Sequence, residues 1–222
     1  MGGICTDMKP PLPKHLLMLP PEFESCPDVR PEDVRARPPG ATYFVTFRLS
    51  DALPPREEET LRTLRRSWRQ EGLPPAEVAR RTAQAVETAL DQGHGECILR
   101  DSRGVDCVQQ VLLRQDSVLY RAFASVVMPN HVHLLVKPTE LDLDTMLKKL
   151  KTGSAKRLCD TTATNVPVWR PESHIRVVRD LDHLIACVRY IGRNALRLKV
   201  DPESVRWMSA LWVRAGWSFF DG

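Results

Sequence analysis

Apolar and polar residues alternate, or recur at helical spacing, along most of the chain. Period-two alternation between turn-forming residues predicts four strands, at residues 40–50, 118–128, 131–138 and 173–179. Apolar stripes at helical spacing predict five helices, at residues 54–72, 74–95, 104–116, 142–158 and 180–198. Gly153 is expected to weaken the fourth of these helices in its middle.

The link between the second and third predicted strands limits the topology. It consists of "MPN", in which Pro129 and Asn130 are turn-forming residues. Parallel neighbours need a crossover of a dozen or more residues, so these two strands must be antiparallel. The prediction is therefore an α+β fold, in which helices pack on an antiparallel sheet.

Three parts are predicted along the chain. Residues 1–39 hold half of the 18 prolines and show no sustained periodicity, which indicates a Pro-rich N-terminal extension. Residues 40–200 contain the predicted strands and helices and form the folded domain. Residues 201–222 form a C-terminal tail with three of the 5 tryptophans.

Composition is typical of a soluble globular protein. The chain has 222 residues, of which 42% are hydrophobic and 27% charged, and its apolar runs are too short to span a membrane. The N-terminus lacks the basic start and long apolar segment of a signal peptide, so we expect a cytoplasmic protein without a membrane partner. The 6 cysteines are scattered without a C-x-x-C pair, which favours reduced thiols over a zinc ribbon or disulfides.

Positive charge is concentrated in a few helical segments. The net charge is +4 and the isoelectric point about 8.8, which is only mildly basic. Cations cluster, however, in "LRTLRRSWRQ", "KKLKTGSAKR" and "RYIGRNALRLK". Basic helical faces are often only solvated surface, but three of them in one domain favour a nucleic-acid backbone as partner.

Two histidines lie one residue apart at the start of the third strand, in "NHVHLLV". Because side chains alternate across a strand, Val132 and Leu134 share one face while His131 and His133 lie side by side on the other. One interpretation is a structural, hydrogen-bonded pair. The other is a metal site, since neutral imidazole is a common metal ligand, but that site needs a third ligand from elsewhere.

The last predicted helix has a polar face beside its apolar stripe. The stripe consists of Leu181, Leu184, Ile185, Val188, Ile191 and Ala195. Tyr190 points largely away from the stripe, and Asn194 follows one turn later on the same face, flanked by Arg193 and Arg197. This face is either a half-buried tyrosine with snorkelling arginines or a functional surface.

The ordered set of "FVTFRL", "MPNHVHLL" and, in the late helix, "YIGRN" resembles the single-tyrosine His-hydrophobe-His (HUH) transposases. Within them it is most similar to the REP-associated tyrosine transposases, over about residues 40–200. A lone His-x-His is weak evidence, whereas the ordered set with Tyr and Asn four residues apart is specific. The resemblance implies a ferredoxin-like HUH transposase fold.

The resemblance also implies a role for each matching residue. Tyr190 would be the catalytic nucleophile, and His131, His133 and Asn194 would bind Mg²⁺ or Mn²⁺. A phenol with a pKa near 10 is a poor nucleophile at neutral pH, so the phosphate must be held close and its charge neutralised. The implied activity is nicking and joining of single-stranded or hairpin DNA through a 5′-phosphotyrosine intermediate, by a monomer or homodimer.

Two further groups of residues are expected near DNA. Contacts to DNA phosphate are expected from five cations, which position DNA without reading its sequence: Lys151, Lys156, Arg157, Arg193 and Arg197. The tail tryptophans Trp207, Trp212 and Trp217 have two interpretations. They either stack on unpaired bases or pack against the domain.

Two other functions are weighed against the transesterase. The chain departs from the family pattern at Ala195, Ser173 and Ile175, which leaves open a DNA-hairpin-binding protein that keeps the fold but has lost efficient catalysis. A nucleotide hydrolase of the His-x-His-x-His type is disfavoured, because position 135 is Leu.

Overall fold

The computed structural model describes residues 19–29, 37–162 and 167–219. Within these ranges one antiparallel sheet has the strand order β4-β1-β3-β2-β5. Its strands are β1 (Tyr43–Arg48), β2 (Tyr120–Val127), β3 (His131–Pro138), β4 (His174–Val177) and β5 (Arg206–Met208). The predicted α+β fold with an antiparallel sheet is confirmed.

The described helices are α1 (Pro55–Gln70), α2 (Pro75–Asp91), α3 (Ser102–Gln115), α4 (Leu143–Thr162), α5 (Leu181–Leu196) and α6 (Ala210–Arg214). The first five correspond to the predicted helices, and α4 continues through Gly153. Gly153 lies against Val111 and Gln115 of α3, so packing between the two helices supports the helix at its weakest residue. None of the described helices has the length and apolar character to cross a bilayer.

The first four strands form a ferredoxin-like arrangement. The chain passes from β1 through α3 to β2, turns directly into β3, and passes through α4 to β4. As a result β3 lies between β1 and β2, and β1 lies between β3 and β4. The hairpin α1–α2 is inserted before α3, while α5, β5 and α6 extend the arrangement at its end.

Strand register separates the sheet into two faces. The core face is apolar and consists of Tyr43, Val45, Phe47, Val132, Leu134, Val136, Ile175 and Val177. The histidine face consists of Phe44, Thr46, Arg48, His131, His133, Leu135, His174 and Arg176. The alternation predicted for β3 is therefore confirmed, and both histidines lie opposite β1 residues, because Arg48 pairs with His131 and Thr46 with His133.

Helices α3 and α4 cover the core face. The Tyr120 hydroxyl of β2 donates to the carbonyl oxygen of Leu112 in α3 at 2.9 Å. Trp169 packs edge-on against Phe47, with ring centroids 4.8 Å apart. Its indole Nε1 donates to Ser154 Oγ of α4 at 2.9 Å. These contacts leave the opposite, histidine face for other helices.

Helices α2 and α5 meet over the histidine face. Tyr190 of α5 packs edge-on against Phe44, with ring centroids 5.8 Å apart. The ends of the two helices are joined by an ion pair between Arg197 Nη1 and Asp91 Oδ2 at 2.7 Å. The sheet and these two helices therefore enclose a partly buried volume around the histidines.

Both terminal regions contact the domain. Most of the predicted N-terminal extension, residues 1–18 and 30–36, lies outside the described residues. Within residues 19–29, Phe23 is buried and the backbone N–H of Cys26 donates to the carbonyl oxygen of Arg179 at 2.8 Å. In the tail, Trp212 and Trp217 are buried, which favours packing over base stacking for these two tryptophans.

We predict that Trp212→Ala lowers the free energy of unfolding by about 3–5 kcal/mol, as expected for a buried tryptophan. Its ring stacks on Phe123 with centroids 4.5 Å apart, and its Nε1 donates to the carbonyl oxygen of Pro21. Urea denaturation measures the change. Val213→Ala, on the same helix, is the control, because Val213 is 54% exposed and should change stability by about 0.5 kcal/mol or less. An equally small effect for Trp212→Ala, with DNA binding lost, would support base stacking instead.

Candidate active site

Three elements bring the candidate residues together over the histidine face. His131 and His133 come from β3, Glu87 from α2, and Tyr190 and Asn194 from α5. Two of the three predicted metal ligands and the predicted nucleophile are therefore neighbours, although they come from distant parts of the sequence. Glu87 is an addition that the sequence did not indicate.

The two imidazoles and the carboxylate converge on one point. His131 Nε2 and His133 Nε2 are 3.1 Å apart. Glu87 Oε1 lies 3.1 Å from His133 Nε2 and 3.6 Å from His131 Nε2. Within the described ranges, this is the group of three histidine, cysteine or acidic side chains whose ligand atoms are close enough to share an ion.

Asn130 fixes the orientation and tautomer of His131. Its Nδ2 donates to the carbonyl oxygens of Leu90 and His94, at 3.2 and 3.3 Å, where α2 ends. Its Oδ1 therefore faces His131 Nδ1, at 2.8 Å, and can only accept. The proton of neutral His131 is thus held on Nδ1, which leaves a lone pair on Nε2 toward Glu87 and His133.

Thr46 holds the second histidine. Its Oγ1 lies 2.8 Å from His133 Nδ1, and a hydroxyl can either donate to this nitrogen or accept from it. When Thr46 donates, the proton of His133 is on Nε2 and points at Glu87. When Thr46 accepts, Nε2 carries a lone pair like that of His131. The hydroxyl can therefore adapt to a site with or without a cation.

Burial sets the charges of the cluster. His131 is 1% and His133 0% exposed. Burial lowers the pKa of His133 to about 4, so this imidazole is neutral at pH 7. Burial raises the pKa of Glu87, but its interactions with the two histidines, among them the hydrogen bond that His133 Nε2–H can donate, outweigh that effect and hold the pKa well below its usual range. Glu87 is therefore a carboxylate beside neutral imidazole.

This donor set fits a divalent cation. Two imidazole nitrogens and one carboxylate oxygen, all with their ligand atoms within 4.8 Å of one another, are common ligands of first-row divalent metals. Both histidines also have the outer hydrogen bond that orients metal-binding imidazoles in proteins. The arrangement can concentrate positive charge at one point on the histidine face.

Tyr190 lies directly against this cluster. Its ring packs edge-on against His133, with centroids 5.0 Å apart. Burial raises the pKa of the Tyr190 hydroxyl above its usual range, and the charge of Glu87 and a hydrogen bond with it raise the pKa further. A hydrogen bond with Asn194 acts in the opposite direction. The phenol is therefore protonated at neutral pH.

Asn194 makes its hydrogen bonds within and just after α5, beside Tyr190. Its Nδ2 donates to the carbonyl oxygen of Tyr190 at 2.9 Å, and its Oδ1 accepts from Arg197 Nη1 at 3.3 Å. The side chain is 1% exposed, so the polar face predicted for α5 points toward the sheet. In this position Asn194 supports Tyr190, and its role as a metal ligand stays a prediction.

Two of the predicted DNA-contacting residues of α4 are engaged within the protein. Lys151 Nζ donates to the carbonyl oxygens of Arg170 and Pro171, both at 2.9 Å. Burial lowers the pKa of Lys151 to about 8. Arg157 donates to Gln110 Oε1, and Lys156 is exposed. Lys151 therefore anchors the loop before β4 in this structure.

The predicted cations of α5 differ in their surroundings. Arg193 is exposed. Arg197 is exposed as well, but its guanidinium is paired with Asp91 of α2 and bonded to Asn194. Arg197 thus links the Asn194 amide to the end of α2.

Sequence reasoning missed Glu87 because nothing in its neighbourhood distinguishes it. On a helical wheel Glu87 lies at the border of the apolar face of α2, beside Leu90. Glutamate at such a border is common on amphipathic helices. The signal was three-dimensional, since only the docking of α2 on β3 brings the carboxylate to the histidines.

Comparisons with known proteins give a structural likeness only. No family model matches the chain, and no curated protein matches it. Among solved structures, the chain is similar to a REP-associated tyrosine transposase bound to a REP hairpin. The TM-score is 0.39 and the identity 16%, over 73% of this chain and 71% of that chain. At this level of similarity, no residue of the site is assigned by correspondence.

We predict that Glu87→Gln weakens Mn²⁺ binding by at least about 10- to 100-fold, the range seen even for residues that only orient metal ligands. Isothermal titration of Mn²⁺ into the purified protein measures the change. Glu77→Gln, on the same helix, is the matched control and should leave binding intact, since Glu77 pairs with Arg80 and Arg81. Equal affinity in wild type and Glu87→Gln would remove Glu87 from the site.

Proposed function

We propose that the protein is a metal-dependent DNA strand transferase in which Tyr190 attacks a phosphate of single-stranded DNA. The observation that carries the proposal is the position of a half-buried tyrosine against a His–His–Glu cluster, 5.0 Å from the His133 ring. A tyrosine and three metal-type ligands have no structural need to meet at one point. Their convergence fits a nucleophile placed beside a cation-binding cluster.

The reaction transfers one phosphoester bond and conserves its energy. The Tyr190 oxygen forms a bond to phosphorus, and the bond from phosphorus to the 3′ oxygen of the preceding nucleotide breaks. The phenol proton leaves to solvent as the new bond forms; Glu87, which is hydrogen-bonded to the hydroxyl, orients the phenol, but its pKa is too low for it to keep the proton. The departing 3′ oxygen takes up a proton, so that a 3′-hydroxyl and a 5′-phosphotyrosine result. Attack by another 3′-hydroxyl reverses the process.

His131, His133 and Glu87 would hold the cation, with Asn194 as a further predicted ligand. When bound, Mg²⁺ or Mn²⁺ would offset the charge of Glu87 beside the phenol and stabilise negative charge on the phosphate oxygens. Asn130 and Thr46 keep the two imidazoles in place. Asn194 donates toward Tyr190, which favours the phenolate that develops during attack.

A second function keeps DNA binding but not the chemistry. The observation in its favour is the pKa of Tyr190, which burial and Glu87 raise above its usual range. The departures from the family pattern at Ala195, Ser173 and Ile175 point the same way. In this alternative the protein binds hairpin DNA, and the tyrosine only packs against His133.

We infer, from the ordered motifs, that REP-like hairpin-forming repeats are the natural target and that the chain is a REP-associated tyrosine transposase. A backbone-dominated complex should weaken steeply as salt increases, because each neutralised phosphate releases counterions. We predict that hairpin or single-stranded DNA outcompetes plain duplex in fluorescence anisotropy. Salt-insensitive binding, or a preference for duplex, would contradict the proposed partner.

The decisive variant is Tyr190→Phe. With Mn²⁺ and a labelled hairpin, wild type should form a protein–DNA adduct that survives denaturing electrophoresis, and the variant should form none. Removal of the hydroxyl alone should leave the fold and the DNA affinity unchanged. An adduct that persists in Tyr190→Phe would show that the nucleophile is another residue, whereas tight binding without any adduct in wild type would favour the binding protein.

The other two tyrosines provide matched controls. The hydroxyl of Tyr43 donates to the carbonyl oxygen of Pro38 at 2.6 Å, and that of Tyr120 to Leu112 at 2.9 Å. Each Tyr→Phe change there removes one structural hydrogen bond, worth about 0.5–1.5 kcal/mol of stability. Both variants should still form the adduct.

A further inference from the structure

We propose that a cleft between the α1–α2 hairpin and the edge strand β4 binds the phosphodiester backbone of a single DNA strand and leads it to Tyr190. The proposal rests on the proposed function, because it names the path by which that substrate reaches the site. It concerns residues outside those predicted to contact DNA.

The cleft is large and lies along the edge of the sheet. Its volume is about 900 Å³. One wall is formed by α1 and the first half of α2, and the opposite wall by β4 and the start of α5. β4 is at the end of the strand order, so one of its sides faces the cleft rather than another strand of the described sheet. No side chain of α1 is fully buried.

Charge in the cleft is strongly one-sided. Among the described residues, it is lined by a single acidic residue, Glu77, and by six arginines: Arg37, Arg65, Arg69, Arg80, Arg176 and Arg179. Glu77 is already paired with Arg80 and with Arg81, each at 2.7 Å. Like charges gathered without counter-charges repel one another, and a polyanion removes that cost.

Four of these arginines are available to a ligand. Among the described residues, no carboxylate forms an ion pair with Arg65, Arg69, Arg176 or Arg179. Arg65 and Arg69 are one helical turn apart and therefore extend from the same face of α1. Spaced guanidinium groups suit successive phosphates, to which arginine donates in a bidentate way.

The cleft continues into the candidate active site. Ala83 lines the cleft, and Glu87 of the cation cluster follows one turn later on α2, about 6 Å along the helix. On the other wall, Arg176 lies over the Phe44 ring, with its guanidinium carbon 5.3 Å from the centroid. Phe44 in turn contacts the Tyr190 ring. A chain bound along the arginines would therefore end beside the nucleophile.

Strand register gives the same path independently. His174, which lines the cleft, pairs across the sheet with Thr46, and Thr46 pairs with His133. These three residues form one row on the histidine face. Since neighbouring strands are about 4.8 Å apart, the cleft wall is about 10 Å from the metal-type ligands.

The lining favours an unpaired strand over a duplex. Between the arginines it presents apolar surface from Leu73, Pro74 and Pro75. A single strand exposes the faces of its bases, which can cover such surface while the phosphates meet the arginines. A duplex stacks its bases inside, so it has no exposed base faces that could cover this apolar surface.

The test compares two double variants on one helix. Arg65→Gln/Arg69→Gln removes two cleft arginines, and Arg62→Gln/Arg66→Gln removes two that do not line the cleft. Binding of a labelled oligothymidine, which forms no hairpin, is measured by anisotropy from low to high salt. Each lost phosphate contact should reduce the salt slope by about 0.7, which corresponds to about 25-fold weaker binding at 0.1 M salt for two contacts. We expect that loss in the cleft variant only, with the urea midpoint of both variants unchanged.

The outcomes separate the cleft from the chemistry. Equal losses in the two double variants, or no loss in either, would overturn the cleft while adduct formation by wild type upheld the transferase. An arginine-dependent complex without any Tyr190 adduct would overturn the transferase and retain the cleft. Wild-type protein that binds no oligothymidine but forms the hairpin adduct would overturn the cleft alone.

Discussion

The site depends on the close approach of three electron-rich atoms, one from a carboxylate and two from buried imidazoles. Glu87 Oε1, His131 Nε2 and His133 Nε2 lie within about 3.6 Å of one another, and both histidines are almost fully buried. A lone pair next to a lone pair is unfavourable unless a proton or a cation lies between them. Glu87 can accept the Nε2–H of His133 when no cation is bound, and all three atoms are donors of the type that a divalent cation takes.

Asn130 connects the two halves of the arrangement. One side chain bonds the carbonyl oxygens at the end of α2 and also fixes the tautomer of His131. Asn130 therefore forms part of the turn between β2 and β3, positions the end of α2, and directs an imidazole lone pair at Glu87. A buried amide that satisfies both of its polar atoms is favourable, while one left half-satisfied costs about 1–3 kcal/mol, so the three functions are energetically coupled.

The sequence predicted those features that depend only on residues close together along the chain. Strand alternation placed His131 and His133 on one face, and the spacing of four placed Tyr190 and Asn194 on one side of α5. Periodicity could not reveal β5, which has only three residues, Arg206–Met208. It could not reveal Glu87 either, because its role arises from the docking of α2, which no spacing within α2 encodes. Asn194 was predicted to share a face with Tyr190, but the burial of that face results from the rotation of α5 on the sheet.

Glu87 makes cation binding and the acidity of Tyr190 interdependent. Its charge raises the pKa of the hydroxyl it bonds, so without a cation Tyr190 is held as a protonated phenol. A cation bound by Glu87 and the histidines would offset the charge that raises the pKa of Tyr190. A phosphate bound beside the cluster would add negative charge and so strengthen cation binding. Linkage requires the reverse as well: loss of the Tyr190 proton tightens cation binding. In the proposed transferase, the geometry would thus restrict reactivity of Tyr190 to the state in which cation and DNA are both present.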